Sequence, residues 1–208
     1  MLDKKNKENI KWSFVPSKSV LLVIDMQNDF VLDGAIMQVP AAKSQLVKIK
    51  KLIDTARANG LPIIYTVHET DPQFCPLELA AFPHLINAGM RRGSKGAMVV
   101  DDLAPQKGDI VLGKRRFSAF YQTELELILR NLTAANGIKG DIDTVIICGT
   151  VTNICCESTA RDAFFRDFKV VFGSDICSAL NQDAHNATLA NMDIFGRVMD
   201  CDEILKAF

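Results

Sequence analysis

The chain has 208 residues, 48% apolar and 24% charged, with a formal net charge of −1. That composition excludes global disorder, and the balanced charge weighs against a nucleic-acid partner, which a small domain usually recognises through a basic excess. No apolar run approaches the roughly 18 residues of a membrane helix, so no membrane partner is expected, and the charged start MLDKKNKENIKW does not read as a secretory signal. Cys75, Cys148, Cys155, Cys156, Cys177 and Cys201 sit in a chain long enough to fold without covalent staples. They read as reduced thiols of a cytoplasmic protein.

Residues 1–17 are polar and read as an N-terminal arm pinned by Trp12 and Phe14, ahead of a single domain over 18–208. Residues 19–25 (SVLLVID) form an apolar run closed by an acid, the pattern of a parallel strand buried on both faces. Pro40 opens a helix to about Asn59, with Leu46, Ile49, Leu52, Ile53 and Ala56 on one stripe and Gly60 ending it. Residues 61–67 (LPIIYTV) predict the second strand. A long insertion, 69–108, follows, with short helices expected near 77–82 and 83–88; such a segment is a lid or a structural cover over the sheet. Strands are then expected at 109–113, 144–149, 169–172 and 197–199, and helices at 123–131, 153–167, 183–193 and the C-terminus. Alternating strands and helices predict a parallel sheet with helices on both faces. No G-x-G-x-x-G follows the first strand, which excludes a dinucleotide cradle.

Ligands of open α/β sheets bind beyond the carboxyl ends of the strands. Strand one ends in Asp25, strand three in Lys114, and strand four leads through Thr150-Val151-Thr152 into a helix carrying Cys155. Thr152 is a suitable N-cap, which would set Cys155 in the first helical turn. There the helix dipole and Lys114 would lower the thiol pKa. At helical spacing Cys156 shares a stripe with Ala160, Ala163 and Phe164, a core face, whereas Cys155 shares one with Ser158, Thr159 and Asp162. Cys155 is therefore the candidate nucleophile and Cys156 the packed thiol. Cys148 falls inside strand four, and Cys177 follows strand five, near the rim. Phe120 and Tyr121 read as core.

Three segments together resemble the isochorismatase-like cysteine hydrolases: Val23-Ile24-Asp25-Met26-Gln27-Asn28-Asp29-Phe30, then Lys114-Arg115-Arg116-Phe117-Ser118-Ala119-Phe120, then Gly149-Thr150-Val151-Thr152-Asn153-Ile154-Cys155-Cys156-Glu157-Ser158-Thr159-Ala160-Arg161-Asp162. The resemblance implies a three-layer α/β/α sandwich on a six-stranded parallel sheet. It implies a catalytic triad of Asp25, Lys114 and Cys155, a cis peptide at Thr150-Val151, and an oxyanion hole from the N–H groups of Val151 and Cys155. The implied reaction is cleavage of a C–N bond in a small amide, carbamoyl or ureido substrate through a thioester, with no cofactor. A nicotinamidase-like amidase and a silent, ligand-binding family member are the alternatives.

Nicotinamidases of this family carry a metal built from an Asp-x-His pair and further histidines. Here His68 and Thr70 stand at the pair's places, and His84 and His185 are the only other histidines. No metal is expected. Phe30, His68 and Phe117 are candidate substrate contacts, with core packing or a solvated rim as the alternative for each. Relatives are commonly dimers or tetramers, so a homo-oligomer is expected.

Overall fold

The structure, a computed structural model, describes residues 12–208; positions 1–11 of the expected arm lie outside the described residues. Its strands are β1 (Ser19–Ile24), β2 (Ile63–His68), β3 (Ile110–Lys114), β4 (Thr144–Thr150), β5 (Lys169–Ser178) and β6 (Arg197–Met199). Its α-helices are α1 (Asn28–Val31), α2 (Ala42–Ala58), α3 (Pro76–Ala81), α4 (Leu125–Asn131), α5 (Glu157–Phe164), α6 (Gln182–Met192) and α7 (Cys201–Leu205). The six strands form one sheet in the order β3-β2-β1-β4-β5-β6, every pair parallel.

The apolar runs explain the layers. β1, β2 and β4 are buried along their whole length, as strands covered on both faces must be. Successive side chains point to opposite faces. Leu21 and Val23 pack with Ile49, Leu52, Ile53 and Ala56 of α2 and Ile204 of α7. Val20, Leu22 and Ile24 pack with Leu125 and Leu129 of α4, Ala160 and Ala163 of α5, and Met192 of α6. Trp12 and Phe14 lie against the first of these cores, and the Arg197 guanidinium sits 5.0 Å over the Trp12 ring. No helix among the described residues is long and apolar enough to cross a membrane.

β1 lies between β2 and β4, so the chain leaves it in one direction and later returns on its other side. This reversal leaves a crevice beyond the carboxyl ends of β1 and β4. The insertion supplies α3 and a 3₁₀ turn at Pro83–Leu85, where a helix to residue 88 was expected. A further turn covers Asp101–Leu103.

Three expectations fail locally. Strand five was expected over 169–172, yet β5 continues to Ser178 past a register shift between Ile147 and Gly149. Cys177 is thus inside a central strand, paired with Gly149 and fully buried, instead of following the strand. Phe164 and Tyr121 are exposed rather than core: α5 ends at Phe164, beyond the sheet it covers, and Tyr121 lies before α4 in a turn outside regular structure.

Candidate active site

Asp25 follows β1 directly, with φ of +48°, a conformation Asp tolerates better than most residues. Its neighbours hold it there. The Asp25 N–H donates to Thr66 O, the Thr66 hydroxyl donates to Asp25 Oδ1 at 2.6 Å, and the Thr150 hydroxyl donates to the Asp25 C=O at 2.9 Å. Asp25 is therefore placed by both strands that flank β1. Lys114 ends β3 and reaches across β2, and its Nζ lies 2.7 Å from Asp25 Oδ2. Neither side chain has any exposure. Asp25 Oδ2 carries no hydrogen bond of good geometry despite this ion contact.

Cys155 completes the group, its Sγ 3.5 Å from Lys114 Nζ. The local backbone differs from the expected regular helix. Thr152–Cys156 forms a π-helical turn, with the Cys156 N–H bonded to the Val151 C=O five residues back. The Thr152 side chain does not cap it; its hydroxyl pairs with His185 Nδ1 at 3.0 Å. That wider turn carries Cys155 inward, so it is buried rather than on a polar face. The thiol pKa moves accordingly. Burial pushes the Cys155 thiol well up, Lys114 pulls it down, and the Asp25 carboxylate pushes it up again. The expected lowering by a helix dipole is overturned, because desolvation of a thiolate outweighs the nearby ammonium. Burial likewise opposes the Lys114 charge, but Asp25 and Cys155 outweigh it and the net shift is upward.

The glycine before this turn is obligatory. Gly149 has φ of +121°, and a Cβ there would stand 2.0 Å from the Ile24 C=O. This close approach lets β4 lie against β1 at the point where Asp25 and the nucleophile turn leave the sheet. The Thr150-Val151 bond that follows is cis.

A small cavity, about 30 Å³ in water-accessible volume, opens beside Cys155. Phe30, His68 and Phe117, the candidate contacts, all line it, with Val151 and Ile154 from the nucleophile turn. The His68 and Phe117 rings stack at 6.2 Å. The insertion contributes Glu78, Phe82, Leu85 and Met90, so it covers this site. Arg116 helps hold the insertion, its guanidinium donating to Phe74 O at 2.9 Å.

Sequence reasoning missed Glu78 and Thr66. Glu78 Oε1 lies 2.5 Å from His68 Nε2, and His68 Nδ1 lies 3.2 Å from Lys114 Nζ. The available signals were an acid within the apolar stretch Leu77–Leu79 and a hydroxyl one turn of the pleat before the end of an apolar strand.

Asp25, His68 and Cys155 each offer a ligand atom within 4.8 Å of the others. A metal does not fit among them, because the Lys114 ammonium already contacts all three at 2.7, 3.2 and 3.5 Å. The histidines do not converge either: His84 faces Met37, and His185 bonds Thr152 and the Ser174 C=O.

A parallel sheet of this order, helices on both faces and a covered rim at its switch point make the isochorismatase-like hydrolase architecture. An isochorismatase domain model matches residues 19–203, and the chain belongs to that family. It is 33% identical over 212 residues to the ureidoacrylate amidohydrolase RutB of Yersinia enterocolitica, covering 91% of this chain and 89% of that protein. A cysteine hydrolase from Pseudomonas syringae superposes with a TM-score of 0.85 at 29% identity, covering 95% of each chain. The N-carbamoylsarcosine amidase of Thermoplasma acidophilum superposes with a TM-score of 0.75 at 31% identity, covering 89% of this chain and 98% of that one.

Proposed function

We propose that this protein is a cysteine amidohydrolase that cleaves a C–N bond in a small carbamoyl or ureido substrate through a thioester. One observation carries this reading: the Asp25 carboxylate, the Lys114 ammonium and the Cys155 thiol converge in a buried crevice, with Nζ within 3.5 Å of both partners. A thiol raised by burial is protonated at neutral pH, so it needs a base at hand. Asp25 Oδ2, buried and without a good hydrogen bond, is that base.

Cys155 passes its proton to Asp25 as sulfur attacks the amide or carbamoyl carbon. Lys114 balances the charge on Asp25 and sulfur. The N–H groups of Val151 and Cys155 hold the tetrahedral oxyanion. In support, Val151 and Cys155 both line the cavity beside the thiol. Asp25 then gives its proton to the leaving nitrogen, which departs as ammonia or an amine. Water attacks the thioester, returning the thiol and releasing the acid. The likeness to a ureidoacrylate amidohydrolase and an N-carbamoylsarcosine amidase supports a carbamoyl or ureido group at the reacting carbon.

The test is ammonia release from ureidoacrylate, N-carbamoylsarcosine, biuret, maleamate and nicotinamide, with wild type and Cys155→Ala in parallel. A carbamoyl or ureido compound is expected to be hydrolysed by wild type, with a loss of at least about 10³-fold in the variant. Nicotinamide as the best substrate, or unchanged release by Cys155→Ala, would sink the proposal.

The Thr66 hydroxyl provides a finer check. Thr66→Val removes the 2.6 Å hydrogen bond to Asp25 Oδ1. A hydrogen bond to a charged group is worth roughly 1.5–3 kcal/mol, so kcat/KM for the best substrate should fall about tenfold or more. An unchanged value would mean that Thr66 does not orient the base.

A further inference from the structure

Four acceptors surround one ammonium. Lys114 Nζ has Asp25 Oδ2 at 2.7 Å, Arg116 O at 3.1 Å, His68 Nδ1 at 3.2 Å and Cys155 Sγ at 3.5 Å. An ammonium has three N–H groups, so one neighbour is left without a directed bond. That neighbour is Asp25 Oδ2. It is closest in distance, yet the angles there fit a directed bond least well.

His68 decides this outcome. Its Nδ1 accepts from Lys114 only when the ring proton sits on Nε2. Glu78 faces Nε2 at 2.5 Å from a side chain only 8% exposed, and a carboxylate can only accept there. His68 itself is 2% exposed, stacked on Phe117 and fixed through its backbone N–H to Gln27 Oε1 at 2.8 Å.

We propose that Glu78 is a positioning residue: through the tautomer of His68 it draws one Lys114 N–H aside and keeps Asp25 Oδ2 open to the Cys155 proton. Glu78 lies on α3 of the insertion, so the insertion supplies the group that sets the His68 tautomer. If Glu78 loses its charge, the ring proton can move to Nδ1. Lys114 then turns its released N–H onto Asp25 Oδ2, and that oxygen is no longer open to the Cys155 proton. The proposal rests on the reading of Asp25 and Cys155 as base and nucleophile, and deepens it.

The test uses iodoacetamide on the whole protein, with Cys155 followed by fragment-ion mass spectrometry. Sulfur displaces iodide while its proton passes to Asp25, so the rate reports the base without requiring a substrate. The titratable groups around the sulfur are Asp25, Lys114, His68, Glu78 and Cys156, with Cys177 of β5 behind Cys156. Glu78→Gln should alkylate about tenfold more slowly than wild type at pH 7, and the gap should narrow as the pH rises and hydroxide takes the thiol proton in place of Asp25. His68→Leu, which deletes the acceptor directly, should behave alike and stands in if Glu78→Gln fails to fold. Phe82→Ala, which only widens the cavity, should be faster at every pH. If Glu78→Gln or His68→Leu matches or exceeds wild type at pH 7, the pair merely latches the insertion and the proposal fails. The amide panel, run on the same proteins, shows separately whether the amidohydrolase reading holds.

Discussion

Lys114→Met is expected to lose both activity and several kcal/mol of stability, and the two losses can be separated. The ammonium and the Asp25 carboxylate face each other at 2.7 Å with no exposure. Removing one partner of a buried pair leaves an uncompensated charge and costs about 3–5 kcal/mol. The stranded carboxylate also loses the cation that holds it in place as the base. Activity on the best amide should therefore fall by about 10³-fold or more, the scale of losing general base catalysis and a positioned charge together. The double variant Asp25→Asn/Lys114→Met replaces the pair by neutral groups of similar volume. It should recover most of the stability in denaturant unfolding while staying inactive. A single variant as stable as wild type would mean that the pair is not desolvated as described. A double variant no more stable than the single would mean that the loss comes from packing and not from charge.

Gly149→Ala should be the more damaging change to the fold, although it adds one methyl group. Its Cβ would meet the Ile24 C=O at 2.0 Å, and the φ of +121° is one that L side chains rarely adopt. The obstacle is backbone, so no rotamer change relieves it. β4 would have to draw away from β1, where Val23↔Cys148 and Ile24↔Gly149 are paired. A loss above about 4 kcal/mol is expected, in the range that marks a specific steric or backbone fault. Thermal unfolding and the soluble yield would show it. A folded Gly149→Ala protein of near wild-type stability would show that β1 and β4 can part without cost.

The strand and helix order was legible because the apolar runs are uninterrupted. Residues 19–25, 61–67 and 144–149 read as doubly covered strands and became β1, β2 and β4 with ends moved by only one or two residues. The acid, amine and thiol were legible as strand-end groups because a parallel sheet gathers its carboxyl ends on one rim. Those two facts placed Asp25, Lys114 and Cys155 on the same edge before any distance was known.

What required the tertiary structure were features set by contacts distant in sequence. The burial of Cys155 and the direction of its pKa depend on Asp25 and Lys114 meeting it across three strands, which no local spacing encodes. The π turn at Thr152–Cys156 arises where Thr152 turns to His185, 33 residues away, instead of capping its own helix. Glu78 reads as an ordinary acid on a short helix until the insertion folds over the rim and brings it 2.5 Å from His68. Pattern reports which faces are buried. The charge state and aim of a buried group depend on which neighbours desolvate it and share its protons, and folding alone assembles those.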